Sequence, residues 1–497
     1  MLSEHIRSLV YILFLSTAFF VYTYRPISYV MNKDDLTRRR NIWIALTFTG
    51  FIANNFWLYL LFATLILTYQ AKREPNPPAI YFFILFIMPM ANISIPGLGM
   101  VNYLFDLSHQ RMLVLLILIP SIFKLKQSKE YTPFGRIMTD KILIIYLLLT
   151  SLLFLREFNL TNNLRQVFYL FIDIFVPYLV ISRSLQNLQQ FRDAVLSLVI
   201  AIMLLVPIAA YEFLFHWLLF TSMTDSLGME GGQAEYLARD GLLRAIATAG
   251  YAITLGYLMV VGMGLYTFIQ RSFKTNFVRR LGMLLLGIGL ITPLSRGPWL
   301  GAVVMQILFV ATGPKPSRRL MTLALGGVIA LSLVTVLPGG DRVINMLPFV
   351  GTTDSENVTY RERLITNSMI VIKRNLFFGS TDFLKTPEME EMRQGQGIID
   401  LVNNYIQVIL SIGLIGLVIF ISFFVVTLLG IYRAMKLIAD KESEEYLLGR
   451  ALLSTLIAIL FIISTVSSVT LIPIVYWSVA AMGVAYTQMI RKISDRK

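Results

Sequence analysis

The chain has 497 residues, of which 56% are hydrophobic and only 14% charged, and its formal net charge is +14. A soluble domain keeps about a quarter of its residues charged, so this composition leaves too little polar surface to face water and excludes an ordinary soluble fold. Cysteine is absent and histidine is limited to three residues, which excludes disulfides and thiolate chemistry and argues against a metal site built from either residue.

A helix that crosses the hydrocarbon core needs about 20 mainly apolar residues. Runs of this kind recur along the whole chain: Leu9–Tyr24, Ile42–Tyr69, Ala79–Ile93, Met112–Phe123, Ile142–Leu155, Val167–Ile181, Ala194–Leu214 and Ile246–Ile269. They continue with Leu281–Ile291, Trp299–Ala311, Leu320–Leu337, Tyr405–Ile431, Ala451–Val469 and Ile472–Met489. The first run lacks a small-x-small cleavage site and reads as a retained span rather than a signal peptide. The expectation is an all-α polytopic membrane protein, a single integral domain over residues 1–497 with about 12–14 spans.

Lysine and arginine gather in short clusters between the apolar runs, at Lys124–Lys141, Arg271–Arg280, Lys315–Arg319, Arg433–Lys441 and in the C-terminal tail. Clusters of this kind orient a membrane protein rather than bind nucleic acid, and the parity of the runs places all of them in the cytoplasm. Near the start, Arg38–Arg40 and Lys72–Arg73 flank Ile42–Tyr69. We read that stretch as one span, with a cytoplasmic N-terminus. The alternative is a hairpin turning near Ala53–Asn55, which keeps both basic groups on one side.

Two long loops then fall outside, residues 217–245 and 338–402. The first holds Asp225, Glu230, Glu235 and Asp240 against Arg239 and Arg244; the second carries Arg342, Arg361, Arg363, Arg374 and Arg393. Arginines kept outside against the topological bias call for a chemical reason. Within the second loop, Tyr360–Asn375 lacks Pro and Gly, and Ile365, Met369 and Ile372 give it the spacing of an amphipathic helix.

Three groups carry candidate chemistry. Arg296 lies in the turn LSRGPWLG between two apolar runs. An arginine near membrane depth needs a partner or a wet cavity, and a guanidinium matches phosphate through two parallel hydrogen bonds; an interfacial arginine reaching headgroups is the plainer alternative. Tyr360, Arg361 and Arg363 open the external helix, and Arg239 and Arg244 precede the span from Ile246. Asp400, Asn403, Asn404, Tyr405 and Gln407 crowd the start of a later span, followed by Gly413 and Gly416. Helix packing accounts for the glycines, whereas the polar cluster favours a site. No Walker loop, HExxH helix or G-x-S-x-G elbow is present, so a transferred group must arrive already activated.

Four of these stretches together resemble the O-antigen ligase and polymerase superfamily (Wzy/WaaL-type membrane glycosyltransferases). SRGPWLGA resembles its SRG-x-W-L-G turn. LLRAIATAGYAITLGYLM, YRERL with NLFFGS, and VNNYIQVILSIGLIGLVIF resemble its other motifs, in family order between about residues 240 and 420. The resemblance implies a GT-C-like helical fold in the bacterial inner membrane, a site facing the periplasm, and glycans on undecaprenyl pyrophosphate as donor and acceptor. It further implies that no metal, nucleotide or other cofactor is needed, with membrane lipids, a flippase and a chain-length regulator as partners. The histidine before asparagine in the ligase signature falls at Val402 here, which favours polymerisation of repeat units into O-antigen, capsule or exopolysaccharide over ligation. Arg296, Arg361 and Arg363 would meet the pyrophosphate, with Arg244 and Arg239 beside them. Asp400, or else Glu391, would serve as base, and Tyr360, Asn403, Asn404 and Tyr405 would bind substrate. A ligase, a lipid-linked glycan flippase, a septal or cell-shape glycan polymerase and an assembly scaffold remain the rivals.

Overall fold

The computed structural model describes residues 3–89, 92–99, 101–127, 131–156, 159–228, 238–239, 241–336, 345, 355–394, 397–469 and 471–495. Glu230, Glu235, Asp240 and Arg342 lie outside the described residues. In chain order the first helices are α1 (Glu4–Ser28), α2 (Lys33–Ile52), α3 (Phe56–Arg73) and α4 (Pro77–Ile84). A small antiparallel hairpin follows, β1 (Asn92–Pro96) with β2 (Tyr103–Ser108). Next come α5 (His109–Leu113), running through a π-helical turn into α6 (Ile119–Lys126), and α7 (Met138–Phe154). Helix α8 (Leu160–Leu170) likewise passes through a π-turn into α9 (Val176–Ser184), ahead of α10 (Leu188–Phe215) and the short α11 (Thr221–Ser226). A two-residue ladder, β3 (Ala238–Arg239) with β4 (Leu242–Leu243), precedes α12 (Ala252–Ile269), α13 (Asn276–Ile291), α14 (Arg296–Ala311) and α15 (Pro316–Val336). The chain ends with α16 (Ser355–Arg374), α17 (Pro387–Glu390), α18 (Asn404–Lys436), α19 (Glu444–Ile462) and α20 (Leu471–Asp495).

Among the described residues, seven helical units are long and apolar enough to cross a membrane: α1, α8–α9, α10, α12, α18, α19 and α20. The chain is thus an all-α polytopic membrane protein, as its composition predicts. Helices α10, α12 and α20 are the most enclosed of these. By contrast α15 turns Met321, Leu325, Val328, Ile329 and Leu333 outward, a surface suited to hydrocarbon and not to water. Polar residues at the turns set the helix starts: the side chains of Asn32, Asn55, Asn187, Thr275, Asn403 and Ser443 cap α2, α3, α10, α13, α18 and α19. Each such cap supports its helix by roughly 1 kcal/mol.

The bundle has two distinct ends. At one, Arg39 is fully buried and bonds Glu74 at 2.8 Å and Asp193 at 2.7 Å, tying the starts of α2 and α10 to the end of α3. Arg38 joins it, reaching Glu74 and the Arg73 carbonyl. The basic clusters before α13 and α15 and after α18 lie at this end too. These contacts correct the N-terminal reading. Ile42–Tyr69 is a hairpin and not one span: α2 stops at Ile52, Asn54 takes a left-handed φ of 46°, and Asn55 caps α3 by accepting the Trp57 amide at 2.7 Å. Helix α1 begins at the opposite, non-basic end, where Glu4 accepts from Trp217 at 3.0 Å and His5 lies against the Phe51 and Ser222 carbonyls. The start of α1 therefore stands away from the basic clusters, against the expected cytoplasmic N-terminus. Two asparagines in a row after an apolar stretch were the turn signal.

Candidate functional site

At the non-basic end, three stretches of chain converge on the turn joining α19 to α20. The first is the start of α14. Leu294 sits in the left-handed region at φ 47°, Ser295 follows, and Arg296 opens the helix, half-buried, donating to the Asn345 carbonyl at 3.1 Å. The next residue must be glycine, because a Cβ on Gly297 would lie 2.6 Å from Thr465 Oγ1 in that turn.

The second stretch is α16. Arg361 donates to the Thr465 carbonyl at 3.2 Å. Its guanidinium is pushed below its ordinary pKa by partial burial, and the Asp400 carboxylate opposes that shift; it stays charged at neutral pH. Arg363, two residues further on, is exposed and makes no side-chain hydrogen bond among the described residues. Tyr360 points the other way and donates to the Asp400 carbonyl at 2.9 Å. The amphipathic face differs from the predicted one. Leu364, Ser368, Val371 and Ile372 are buried, while Ile365 and Met369 are about half exposed, at 52% and 47%. The helix has two apolar stripes, and the buried one meets Phe383, Met389, Met392, Leu401 and Leu410.

The third stretch leads into α18. One oxygen of Asp400, Oδ1, accepts from the Ser467 hydroxyl and from the Val402 amide at 3.2 Å. Among the described residues its Oδ2 accepts no hydrogen bond. Val402 is itself left-handed, at φ 38°. Asn403 caps α18 through the Tyr405 and Ile406 amides at 2.9 and 3.2 Å. The buried Asn404 donates its backbone amide to the Ile463 carbonyl at 2.9 Å, and the Tyr405 hydroxyl donates to the Leu460 carbonyl at 2.8 Å. These three residues anchor α18 to α19 and thereby seat Asp400. Glu391 is exposed and stands apart from this turn's bonds.

Arg239 and Arg244 hold the Arg296 turn from behind. Arg239 donates to the Leu294 carbonyl; Arg244 reaches the Pro293 carbonyl at 3.0 Å and the Ser295 hydroxyl at 2.9 Å. The loop that carries them is pinned in turn by Glu212, fully buried near the end of α10, which accepts from the amides of Leu219, Ile246 and Ala247 at 3.2, 3.0 and 2.8 Å. Sequence reading passed over Glu212, although a lone acid within the apolar run Ala194–Leu214 is the signal of an intramembrane functional group. It also passed over Thr465 and Ser467, whose signal was the cluster of hydroxyl residues at the end of the apolar run Ala451–Val469. Ala247, Leu294 and Val402 are all non-glycine residues with positive φ. Each such residue costs on the order of 1 kcal/mol, and strain of this kind gathers where surrounding bonds hold a site in shape. Among the described residues no group of three or more His, Asp or Glu is placed to hold a metal ion.

No curated protein sequence matches the chain at a significant level. Residues 281–421 do match the family model described as O-antigen ligase. That segment covers under a third of the chain, from α13 into α18, and contains Arg296, Arg361, Arg363 and Asp400. The match makes this multi-pass membrane protein similar, over that segment, to the O-antigen ligase family, and it supports a place for the chain in the O-antigen ligase and polymerase superfamily.

Proposed function

We propose that the protein polymerises oligosaccharide repeat units carried on undecaprenyl pyrophosphate, at the periplasmic face of a bacterial inner membrane. The observation that carries this reading is the meeting of Arg296, Arg361 and Asp400 around the Thr465–Ser467 turn, at the end of the bundle opposite the basic clusters. The acceptor sugar hydroxyl attacks the anomeric carbon of the donor. Its C–O bond to pyrophosphate breaks, the electron pair leaves on the phosphate oxygen, and Arg296 and Arg361 stabilise the charge that develops there, with Arg363 within reach of the lipid diphosphate. The hydroxyl proton passes to Asp400 through Oδ2, while Ser467 and the Val402 amide hold Oδ1 in place. Arg239, Arg244 and Glu212 position the Arg296 turn.

Ligation to lipid A-core or protein is the second reading, favoured by the description of the matched family. Against it stands Val402, where the ligase signature has histidine. None of the three histidines lies beside Asp400: His5 meets Phe51 and Ser222, His109 is buried against Tyr59 and the Ile84 carbonyl, and His216 ends α10. A transporter would line a path through the bundle with its charges, whereas the arginines named above gather at one end.

The test is a deletion strain complemented with point variants, with glycan length read on gels and protein level on blots. Arg296→Ala is expected to cut polymer formation on the order of 100-fold at unchanged protein level, leaving single repeat units; Arg296→Lys keeps the charge, loses the fork and recovers a minor part. Normal-length polymer from Arg296→Ala would sink the assignment. Loss of attachment with polymer length intact would favour the ligase.

A further inference from the structure

At the basic end of the bundle, a cavity of about 210 Å³ opens between the ends of α12 and α14 and the starts of α13, α15 and α19. Four arginines line it: Arg271, Arg279, Arg319 and Arg450. Arg450 projects from α19 and is only 3% exposed. One of its terminal nitrogens donates to the Phe309 carbonyl, and its guanidinium lies 4.2 Å from the centre of the Phe309 ring. Its Nε is buried without a hydrogen-bond partner.

The other three do not supply counter-charge. Arg279 donates to the carbonyls of Phe273 and Arg271 and to the Asn276 side chain. Arg319 is exposed, and its guanidinium makes no bond among the described residues. Only Arg271 meets a carboxylate, Glu442 at 3.0 Å, in an exposed pair. Like charges brought around one cavity repel, and a buried guanidinium nitrogen with no acceptor is costly to maintain. At the same end of the bundle Arg39 has an unpartnered Nε as well, but it meets the carboxylates of Glu74 and Asp193, and Arg183 meets that of Asp140; Arg450 has no such counter-charge among its described bonds, so the charge deficit belongs to this cavity.

We propose that the cavity is a binding site for a phosphate-bearing anion, at the far end of α13 and α14 from the candidate transfer site. The cavity has room for a group several waters in size, and its donors suit an acceptor with several oxygens. Guanidinium forks match phosphate oxygens in pairs; the unpaired Nε of Arg450 supplies the inner donor and Arg319 the outer. Two sources carry this chemistry, the headgroup of an anionic phospholipid and a free phosphate or diphosphate in the aqueous phase.

The full-length protein tests this in two arms. In neutral detergent, inorganic pyrophosphate is titrated while thermal unfolding is followed. In nanodiscs of phosphatidylcholine with phosphatidylglycerol added, retained lipid is read by native mass spectrometry after release. Arg319→Ala makes no bond that the fold needs, and it is expected to weaken whichever ligand binds by about fivefold. Arg450→Gln removes most of what remains. Stabilisation by pyrophosphate alone identifies a soluble anion, retention of phosphatidylglycerol alone identifies a headgroup, and both together identify the phosphate chemistry itself. The proposal is overturned if neither ligand is held, or if Arg319→Ala binds as the parent chain does.

Discussion

Two groups of arginines, one at each end of the bundle, are held in different ways. At the basic end, Arg39, Arg183 and Arg192 each meet a carboxylate: Glu74 and Asp193, Asp140, and Glu444. At the other end, the described bonds of Arg239, Arg244, Arg296 and Arg361 run to the carbonyls of Leu294, Pro293, Asn345 and Thr465. A carboxylate cancels the charge it meets, while a carbonyl orients a guanidinium without cancelling it. The first arrangement locks helices together. The second aims cations at a common turn, and it is accompanied by the left-handed Ala247, Leu294 and Val402.

Substitutions can break this contrast. The largest effect is expected at the locked end. Asp140→Ala leaves the fully buried Arg183 without its carboxylate partner and also removes the acceptor for the Tyr178 hydroxyl, at a cost of roughly 3–5 kcal/mol; thermal unfolding in detergent reads it, and a cost below about 1 kcal/mol would erase the contrast. Next, Arg361→Ala is expected to slow transfer on the order of 100-fold, about 2.7 kcal/mol in barrier, with melting temperature nearly unchanged. A drop in stability without a specific loss of rate would make Arg361 a scaffold residue after all. Asn403→Ala removes only the cap of α18 and should cost about 1 kcal/mol, with a smaller loss of polymer because Asp400 is less firmly seated. Smallest is Glu442→Ala at the exposed pair with Arg271, expected to change stability by ~0.5 kcal/mol or less.

The membrane class was legible because hydrocarbon imposes long apolar runs, and no other solvent explains them. Arg296 and Asp400 stood out as candidates because they are polar residues close to the edge of such a run, and Arg361 because it opens a helix within the long loop. What brings them together was not legible. Thr465 and Ser467 lie more than 60 residues beyond Asp400, and their role rests on carbonyl and hydroxyl groups that every residue or many residues carry. The hairpin at Asn54 stood only as the alternative to a single span because α2 and α3 are both apolar enough to merge into one run. The buried face of α16 was missed because Ile365 and Met369 fit a helical stripe as well as Leu364 and Ser368 do; α17 and α18, distant in sequence, decide which stripe is covered.

Helix α18 is interrupted at Gly413, whose φ of 74° and ψ of −175° are not helical. The backbone of residues 376–380 fills the gap. Leu414 and Ile415 donate their amides to the Leu376 and Phe377 carbonyls at 2.8 and 3.2 Å, and Ser380 donates to the Leu410 carbonyl at 2.8 Å. A side chain at 413 would lie 2.3 Å from Phe377 backbone atoms. The joint is therefore a splice: the upper half of α18 is tied to the segment leaving α16. If that half tilts, Asp400 and Arg361 travel as one piece, and the span to Arg296 is the dimension left to adjust.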